Sequence, residues 1–233
     1  MSLIKDWNPK QAALKEAVAD ANAKPERFKE AIRLCLELHG SVHSALVSNA
    51  KPPTIFDEIW GGLSRKAFET MPSIKGVTIA WNIWHLTRIE DITANILICN
   101  GKQVLNGTWL KKLKVAVRDT GNAMTKDEIL NLSRSLNMDA LHAYRNTVGS
   151  RTREIIGSLK PADLKRKMNP ASVQRILAEG GVTEHKDSVW LLDFWGKKTV
   201  AGILLMPITR HQILHLNDCA NLKEKIMRQG ETG

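Results

Sequence analysis

The sequence predicts an all-α protein, built as a four-helix bundle with an extra N-terminal helix and short inserted helices. Apolar residues recur at the spacing of a helix face along most of the 233 residues. Clean alternation of apolar and polar residues is almost absent, and Asn106-Gly107 lies between helical stretches rather than between strands. Four long helical segments with short ones between them are typical of a bundle.

The N-terminal part of the chain is predicted to hold an added helix and the first long helix. An amphipathic pattern covers about residues 9–23. The first long helix runs over about residues 25–48, with His39 in its core-facing stripe, and Pro52-Pro53 end it. A shorter helix follows at about residues 55–63.

The middle of the chain is predicted to hold the second and third long helices. The second covers about residues 78–100 and is closed by Gly101. Residues 125–136 form one or two short helices, and the third long helix covers about residues 139–159. It stops before Pro161, since the residue before a proline disfavours helical backbone.

The C-terminal part is predicted to hold three short helices and the last long one. The short helices cover about residues 171–179, 187–195 and 199–205. Pro207 suits a first helical turn and opens the last long helix, at about residues 207–228.

Composition indicates one cytoplasmic domain. No stretch rich in Pro, Gly or Ser divides the chain, so we expect a helical extension at residues 1–24 and one domain at residues 25–229. The three cysteines form no CxxC pair, which argues against disulfides and a cysteine zinc site. No apolar run has membrane-spanning length and the N-terminus lacks a signal-peptide core, so we expect a cytoplasmic protein without a membrane partner.

The formal net charge of +10 raises the question of an anionic partner. The basic clusters Lys111-Lys112-Leu113-Lys114 and Lys165-Arg166-Lys167 are short. We interpret them as solvated basic surface and do not expect a nucleic-acid partner.

Three histidines are candidate metal ligands. His211 and His215 lie four residues apart, so one helix face presents both rings. His85 shares a helical stripe with Trp81 and Ile89 and should point into the bundle, where facing helices pool their ligands. Three neutral imidazoles suit zinc, nickel, iron or copper and leave coordination positions open. The alternative is that these histidines are core residues with satisfied hydrogen bonds.

A second histidine pair, His39 and His43, has the same spacing. These residues are candidates for an additional ligand, a proton shuttle or pocket lining. Asp218 lies one turn beyond His215 and could orient that imidazole or pair with a cation.

Nearby residues exclude one function and suggest an ion pair. Gln212 stands where an HExxH peptidase has its glutamate, which disfavours a peptidase. Glu90 and Asp91 follow His85 at offsets that point away from it, so we expect them to pair with Arg88 or a neighbouring helix.

Three stretches resemble a known family over about residues 25–226. They are Trp84-His85-Leu86-x-Arg88-x-Glu90-Asp91, Leu136-Asn137-Met138-Asp139-Ala140-Leu141-x-x-Tyr144 followed by Arg151-Thr152, and Thr209-Arg210-His211-x-x-x-His215-Leu216-x-Asp218. With them the chain resembles the DinB/YfiT-like superfamily of metal-dependent enzymes.

The resemblance implies an up-down-down-up four-helix bundle in which His85, His211 and His215 bind a divalent metal such as zinc, nickel or iron. It also implies a metal-dependent enzyme, a transferase or hydrolase. The reaction would be an S-transfer or isomerisation with a low-molecular-weight thiol and a small-molecule substrate, in a homodimer. Two alternatives stay open: a non-catalytic basic helical module that binds nucleic acid or a protein, and a family member that keeps the fold without turnover.

Overall fold

The computed structural model of the chain describes residues 3–21, 23–51, 53–72 and 76–231. Over these residues the regular structure is helical, apart from an isolated antiparallel bridge between Lys167 and Thr199. The predicted all-α class is therefore confirmed.

The α-helices are α1 (Leu3–Asp20), α2 (Pro25–Val42), α3 (Ala45–Ser48), α4 (Ile55–Trp60), α5 (Arg65–Glu69), α6 (Ile79–Asp91), α7 (Gly107–Leu113), α8 (Lys126–Ser135), α9 (Met138–Ser158), α10 (Pro170–Ala178), α11 (Lys186–Gly196), α12 (Val200–Leu205) and α13 (His211–Glu231). Three further segments have other helical geometries: π-helical Ile92–Ile98, 3₁₀-helical Pro161–Lys165 and π-helical Met206–Arg210.

The long helices α2, α6, α9 and α13 pack against one another. α6 contacts both α9 and α13, α9 also contacts α2, and α2 reaches α13. Every residue of α6 except Trp81 is buried, so this helix has neighbours on all sides. α1 packs on α2, α12 and α13, and its Trp7 and Leu14 belong to the same apolar core.

The second long helix has the predicted position but changes geometry along its length. The Thr78 hydroxyl caps α6 by accepting from the Trp81 backbone N–H at 2.9 Å. After Asp91 the backbone continues as the π-helical segment Ile92–Ile98, which the apolar periodicity did not predict.

The last long helix is also preceded by a π-helical turn, Met206–Arg210, in which the His211 backbone N–H donates to the Met206 carbonyl. The Gln11 side chain of α1 supports this turn. Its amide donates to the Leu205 carbonyl at 3.0 Å and to Thr209 Oγ1 at 3.3 Å. α1 is thereby tied to the residues that lead into α13.

Two predicted helix boundaries were wrong. α1 begins at Leu3 rather than Pro9, because the buried Trp7 holds the first turns in place and its indole donates to Gln11 at 2.8 Å. The first long helix ends at Val42 rather than Ser48, because the Ser44 side chain caps a separate short helix.

No helix among the described residues combines the length and the apolar character needed to cross a membrane.

Candidate metal centre

The fold brings His85, His211 and His215 together. One ligand-capable atom from each ring lies within 4.8 Å of the others. His85 comes from the middle of α6, and the other two come from the first turns of α13. The Nε2 atoms of His85 and His211 are 3.2 Å apart. The side chain of His85 is buried, while His211 and His215 are half-buried.

Two of these rings are held through Nδ1 by oxygen acceptors. His85 Nδ1 lies 2.7 Å from the Thr120 carbonyl oxygen, which can only accept, so this nitrogen carries the proton. His215 Nδ1 lies 2.7 Å from Asn82 Oδ1. The Asn82 amide nitrogen donates to the Thr78 carbonyl at 3.1 Å, so the atom of this amide that faces His215 is its oxygen. In both neutral rings the lone pair is therefore on Nε2.

The arrangement fits a shared ion better than a hydrogen-bonded pair. The separation of 3.2 Å between His85 Nε2 and His211 Nε2 suits an N–H···N hydrogen bond as well as two ligands of one ion. A hydrogen-bonded pair would not need a third imidazole, yet His215, whose Nε2 is unprotonated, belongs to the same group. Metal-bound histidines usually donate their other N–H to an oxygen, as His85 and His215 do.

All three imidazoles are neutral near pH 7. Burial lowers the pKa of His85 to about 4, although the Thr120 hydrogen bond acts in the opposite direction. Burial and the proximity of His85 lower the pKa of His215 to about 3. Burial, followed by His215 and His85, places the pKa of His211 well below its usual value. Neutral imidazole is the form that binds a metal ion.

A loop supports the α6 side of the centre. The Trp81 indole stacks on the His85 ring with centroids 4.6 Å apart, and its N–H donates to the Gly121 carbonyl at 3.2 Å. The Trp84 indole donates to the Asp119 carbonyl at 3.0 Å. Gly121 has a φ of 77°, and a Cβ there would lie 2.8 Å from Trp81 Nε1. The position therefore requires glycine.

Sequence reasoning missed the residues that hold the rings. Thr120 and Gly121 lie in a loop whose approach to α6 is set by tertiary packing, and no local pattern indicated it. Asn82 carried a usable signal, since it interrupts an apolar run one helical turn before His85.

The residue predicted to orient His215 is not the one that the structure places there. Asp218 is exposed, and the oxygen beside His215 Nδ1 belongs to Asn82. Asn82 reaches this position because α6 faces α13 across the core.

His39 and His43 form a second buried group with Glu90. Their Nε2 atoms lie 2.8 Å from Glu90 Oε1 and Oε2 respectively, and the two rings stack with centroids 4.3 Å apart. All three side chains are fully buried. The donor set could hold an ion. The Nδ1 atoms of both rings are buried without a hydrogen-bond partner, as is His211 Nδ1 in the first group, whereas His85 and His215 have oxygen partners there.

The carboxylate of Glu90 in this second group is ionised near pH 7. Burial opposes ionisation of Glu90, but the electrostatic attraction and the hydrogen bonds of His43 and His39 outweigh it and hold its pKa well below the usual value. Burial lowers the pKa of His43 to about 3. A carboxylate oxygen can only accept, so each Glu90 oxygen accepts a hydrogen bond from the Nε2–H of one ring.

The predicted pairing of the two α6 carboxylates is confirmed. Asp91 accepts from Arg88 at 2.8 Å and from the Tyr144 hydroxyl at 2.6 Å, while Glu90 pairs with the neighbouring helix α2. Both carboxylates bind partners other than the three-histidine group.

The fold and this centre define an all-α protein with a three-histidine group in its core that could hold a metal ion. A family model described as the DinB superfamily matches residues 53–219, which include all three histidines. The chain therefore belongs to the DinB superfamily, as the sequence motifs predicted. A comparison with curated proteins gave no significant match.

Proposed function

We propose that this protein is a metal-dependent enzyme in which His85, His211 and His215 bind one divalent transition metal: zinc, nickel or iron. The observation that carries the proposal is the convergence of three neutral imidazoles, two of which have Nδ1 bound to an oxygen. Three protein ligands are the number found in catalytic zinc sites, where a fourth position takes water or substrate.

The metal would supply a full divalent charge, because the three ligands are neutral, and that charge lowers the pKa of a bound water or thiol. The protein's contribution is to hold the ligands in place before the ion binds. Thr120 and Asn82 fix two ring orientations, and Trp81 covers one face of His85. His211 and His215 are half-buried, so part of the centre lies near the protein surface on the α13 side.

The reaction class in this proposal rests on the family resemblance. We infer an S-transfer or isomerisation that uses a low-molecular-weight thiol and a small-molecule substrate. The packing of α2, α6, α9 and α13 supports the up-down-down-up bundle of the family. The assembly that we propose is a homodimer.

Metal content tests the first part of the proposal. Protein purified without added metal would be measured by elemental mass spectrometry, beside His85→Ala, His211→Ala and the exposed control His185→Ala. We expect about one equivalent in the wild type and the control, and loss in both site variants. No metal in the wild type, even after incubation with zinc or nickel, would contradict the proposal.

A thiol-transfer screen tests the second part. The metal-loaded wild type would be assayed with several low-molecular-weight thiols and electrophilic acceptors, with His211→Ala as the inactive control. Turnover that depends on both metal and thiol would support the reaction class. Metal binding without turnover would support a member that keeps the fold and the centre but not the reaction.

A further inference from the structure

Gln212 lies beside the three-histidine group and has every polar group of its side chain engaged. It follows His211 in the chain and is fully buried. Its amide nitrogen donates to the Leu86 carbonyl at 3.1 Å and to the Pro207 carbonyl at 3.3 Å. Its amide oxygen accepts from Arg145 at 3.0 Å.

The hydrogen bond to Leu86 joins the two helices that carry the histidines. Leu86 follows His85 on α6, as Gln212 follows His211 on α13. One hydrogen bond therefore connects the residues that directly follow His85 and His211, whose Nε2 atoms are 3.2 Å apart. The Gln212 side chain of α13 thereby holds the α6 backbone next to His85, which places this contact where it can set the separation of the His85 and His211 rings.

Arg145 of α9 fixes the orientation of the amide. Its guanidinium donates to Gln212, to the Val42 carbonyl at 2.7 Å and to Thr87 Oγ1 at 3.2 Å, which are atoms of α13, α2 and α6 respectively. Burial lowers the pKa of Arg145 to about 10, so the side chain is still a cation near pH 7. A cation that only donates requires the amide oxygen to face it, which turns the amide nitrogen toward Leu86.

We propose that Gln212 is a positioning residue for the metal centre: it sets the spacing of His85 and His211 through its hydrogen bond to Leu86, in the orientation that Arg145 imposes. The inference rests on the proposed function, since it concerns the same metal centre. A glutamate at this position could pair with Arg145 but would offer no donor to Leu86 or Pro207. Glutamine at position 212 therefore satisfies all three of these partners, whereas glutamate does not.

Two substitutions separate the contacts of Gln212. Gln212→Glu keeps an acceptor for Arg145 and removes the donor to Leu86 and Pro207. Gln212→Met has a side chain of similar length but removes both the acceptor for Arg145 and the donor to Leu86 and Pro207. Ser172→Ala is the control for general destabilisation, because the buried Ser172 lies on a different helix, α10, and its hydroxyl donates a hydrogen bond to Asn100 at 3.0 Å.

The affinity of each protein for cobalt(II) would be measured by chelator competition, together with the visible spectrum of the bound ion and the unfolding midpoint of the metal-free protein. We expect both Gln212 variants to bind cobalt(II) at least about tenfold more weakly, with an altered spectrum. Ser172→Ala should lose stability but keep wild-type affinity. Gln212→Glu should unfold at a higher midpoint than Gln212→Met, because Arg145 keeps its partner.

Two outcomes would overturn the inference, and they are distinguishable. A folded Gln212→Glu variant with wild-type cobalt(II) affinity and spectrum would overturn this inference but not the proposed function. That conclusion would hold whether or not Gln212→Met folds. A wild type that binds no cobalt(II), zinc or nickel would overturn the proposed function and this inference together.

Discussion

His85 Nε2 and His211 Nε2 lie 3.2 Å apart, although 126 positions separate the two residues in the chain. Burial keeps both imidazoles neutral near pH 7, and for His211 the proximity of His215 and His85 lowers the pKa further. In His85 the Nδ1 proton is directed to Thr120, so the lone pair of Nε2 faces His211. A cation bound between the rings would turn this close approach of two lone-pair donors into a stabilising interaction.

Asn82 is expected to control the affinity of the centre through His215. Asn82→Leu has similar size but offers no acceptor to His215 Nδ1, so the ring loses its fixed orientation. We expect zinc affinity to fall by about 10- to 100-fold, measured by chelator competition. Asn82→Asp keeps the oxygen and should retain most of the affinity. Wild-type affinity in Asn82→Leu would show that this hydrogen bond does not contribute.

Gly121 is expected to be required for both stability and metal binding. In Gly121→Ala the new Cβ meets Trp81, and the residue must also keep a φ of 77°, so we expect a loss of about 2–4 kcal/mol in the free energy of unfolding. Displacement of Trp81 should also move the stacked His85 ring and weaken zinc binding.

Gly62→Ala provides the matched control for this substitution. Gly62 has a similar φ of 66°, but a Cβ there would meet nothing within 4 Å. We expect a loss of about 1–2 kcal/mol from backbone strain alone and unchanged zinc affinity. Equal effects of the two substitutions on zinc affinity would contradict a specific role for Gly121.

How much could be predicted from the sequence differs between the three histidines and the residues that support their rings. The convergence of the histidines was predictable because His211 and His215 follow helical periodicity and His85 lies on an apolar stripe. The contact of His85 with Thr120 was not predictable, because a backbone carbonyl can accept a hydrogen bond whatever the residue type. The π-helical segments were not predicted, because a short π-helical turn shifts the apolar pattern of an α-helix by only one residue.

The metal-free protein is expected to lose stability as the pH falls. Folded His85 and His215 have pKa values of about 4 and 3, whereas unfolded histidine has a pKa of about 6.5. Below about 6.5 the unfolded chain binds protons that the folded chain does not, so unfolding becomes more favourable until the pH reaches the folded values. Each histidine contributes up to about 1.4 kcal/mol per pH unit.

Urea midpoints at about pH 7 and about pH 5 check this expectation, because the two values lie on either side of the unfolded pKa. His215→Gln should show a smaller drop between them than the wild type. An unchanged drop in His215→Gln would mean that this imidazole is not the source of the pH dependence.

Glu90 is expected to matter for folding rather than for metal content. Glu90→Gln places an amide N–H group against one of the two imidazole N–H donors and removes the negative charge near Arg145. We expect the free energy of unfolding to fall by about 3–5 kcal/mol. In the fraction that folds, we expect metal content to stay at the wild-type value. A wild type with two equivalents, reduced to one by Glu90→Gln, would instead assign an ion to His39, His43 and Glu90.

The most direct test of the metal centre is a crystal structure of the zinc-loaded protein with anomalous diffraction recorded at the zinc edge. We predict one strong anomalous peak about 2.0–2.1 Å from the Nε2 atoms of His85, His211 and His215, with the His85–Thr120 and His215–Asn82 contacts preserved. An anomalous map without a peak among these three rings, or with its only peak beside His39 and His43, would contradict the account.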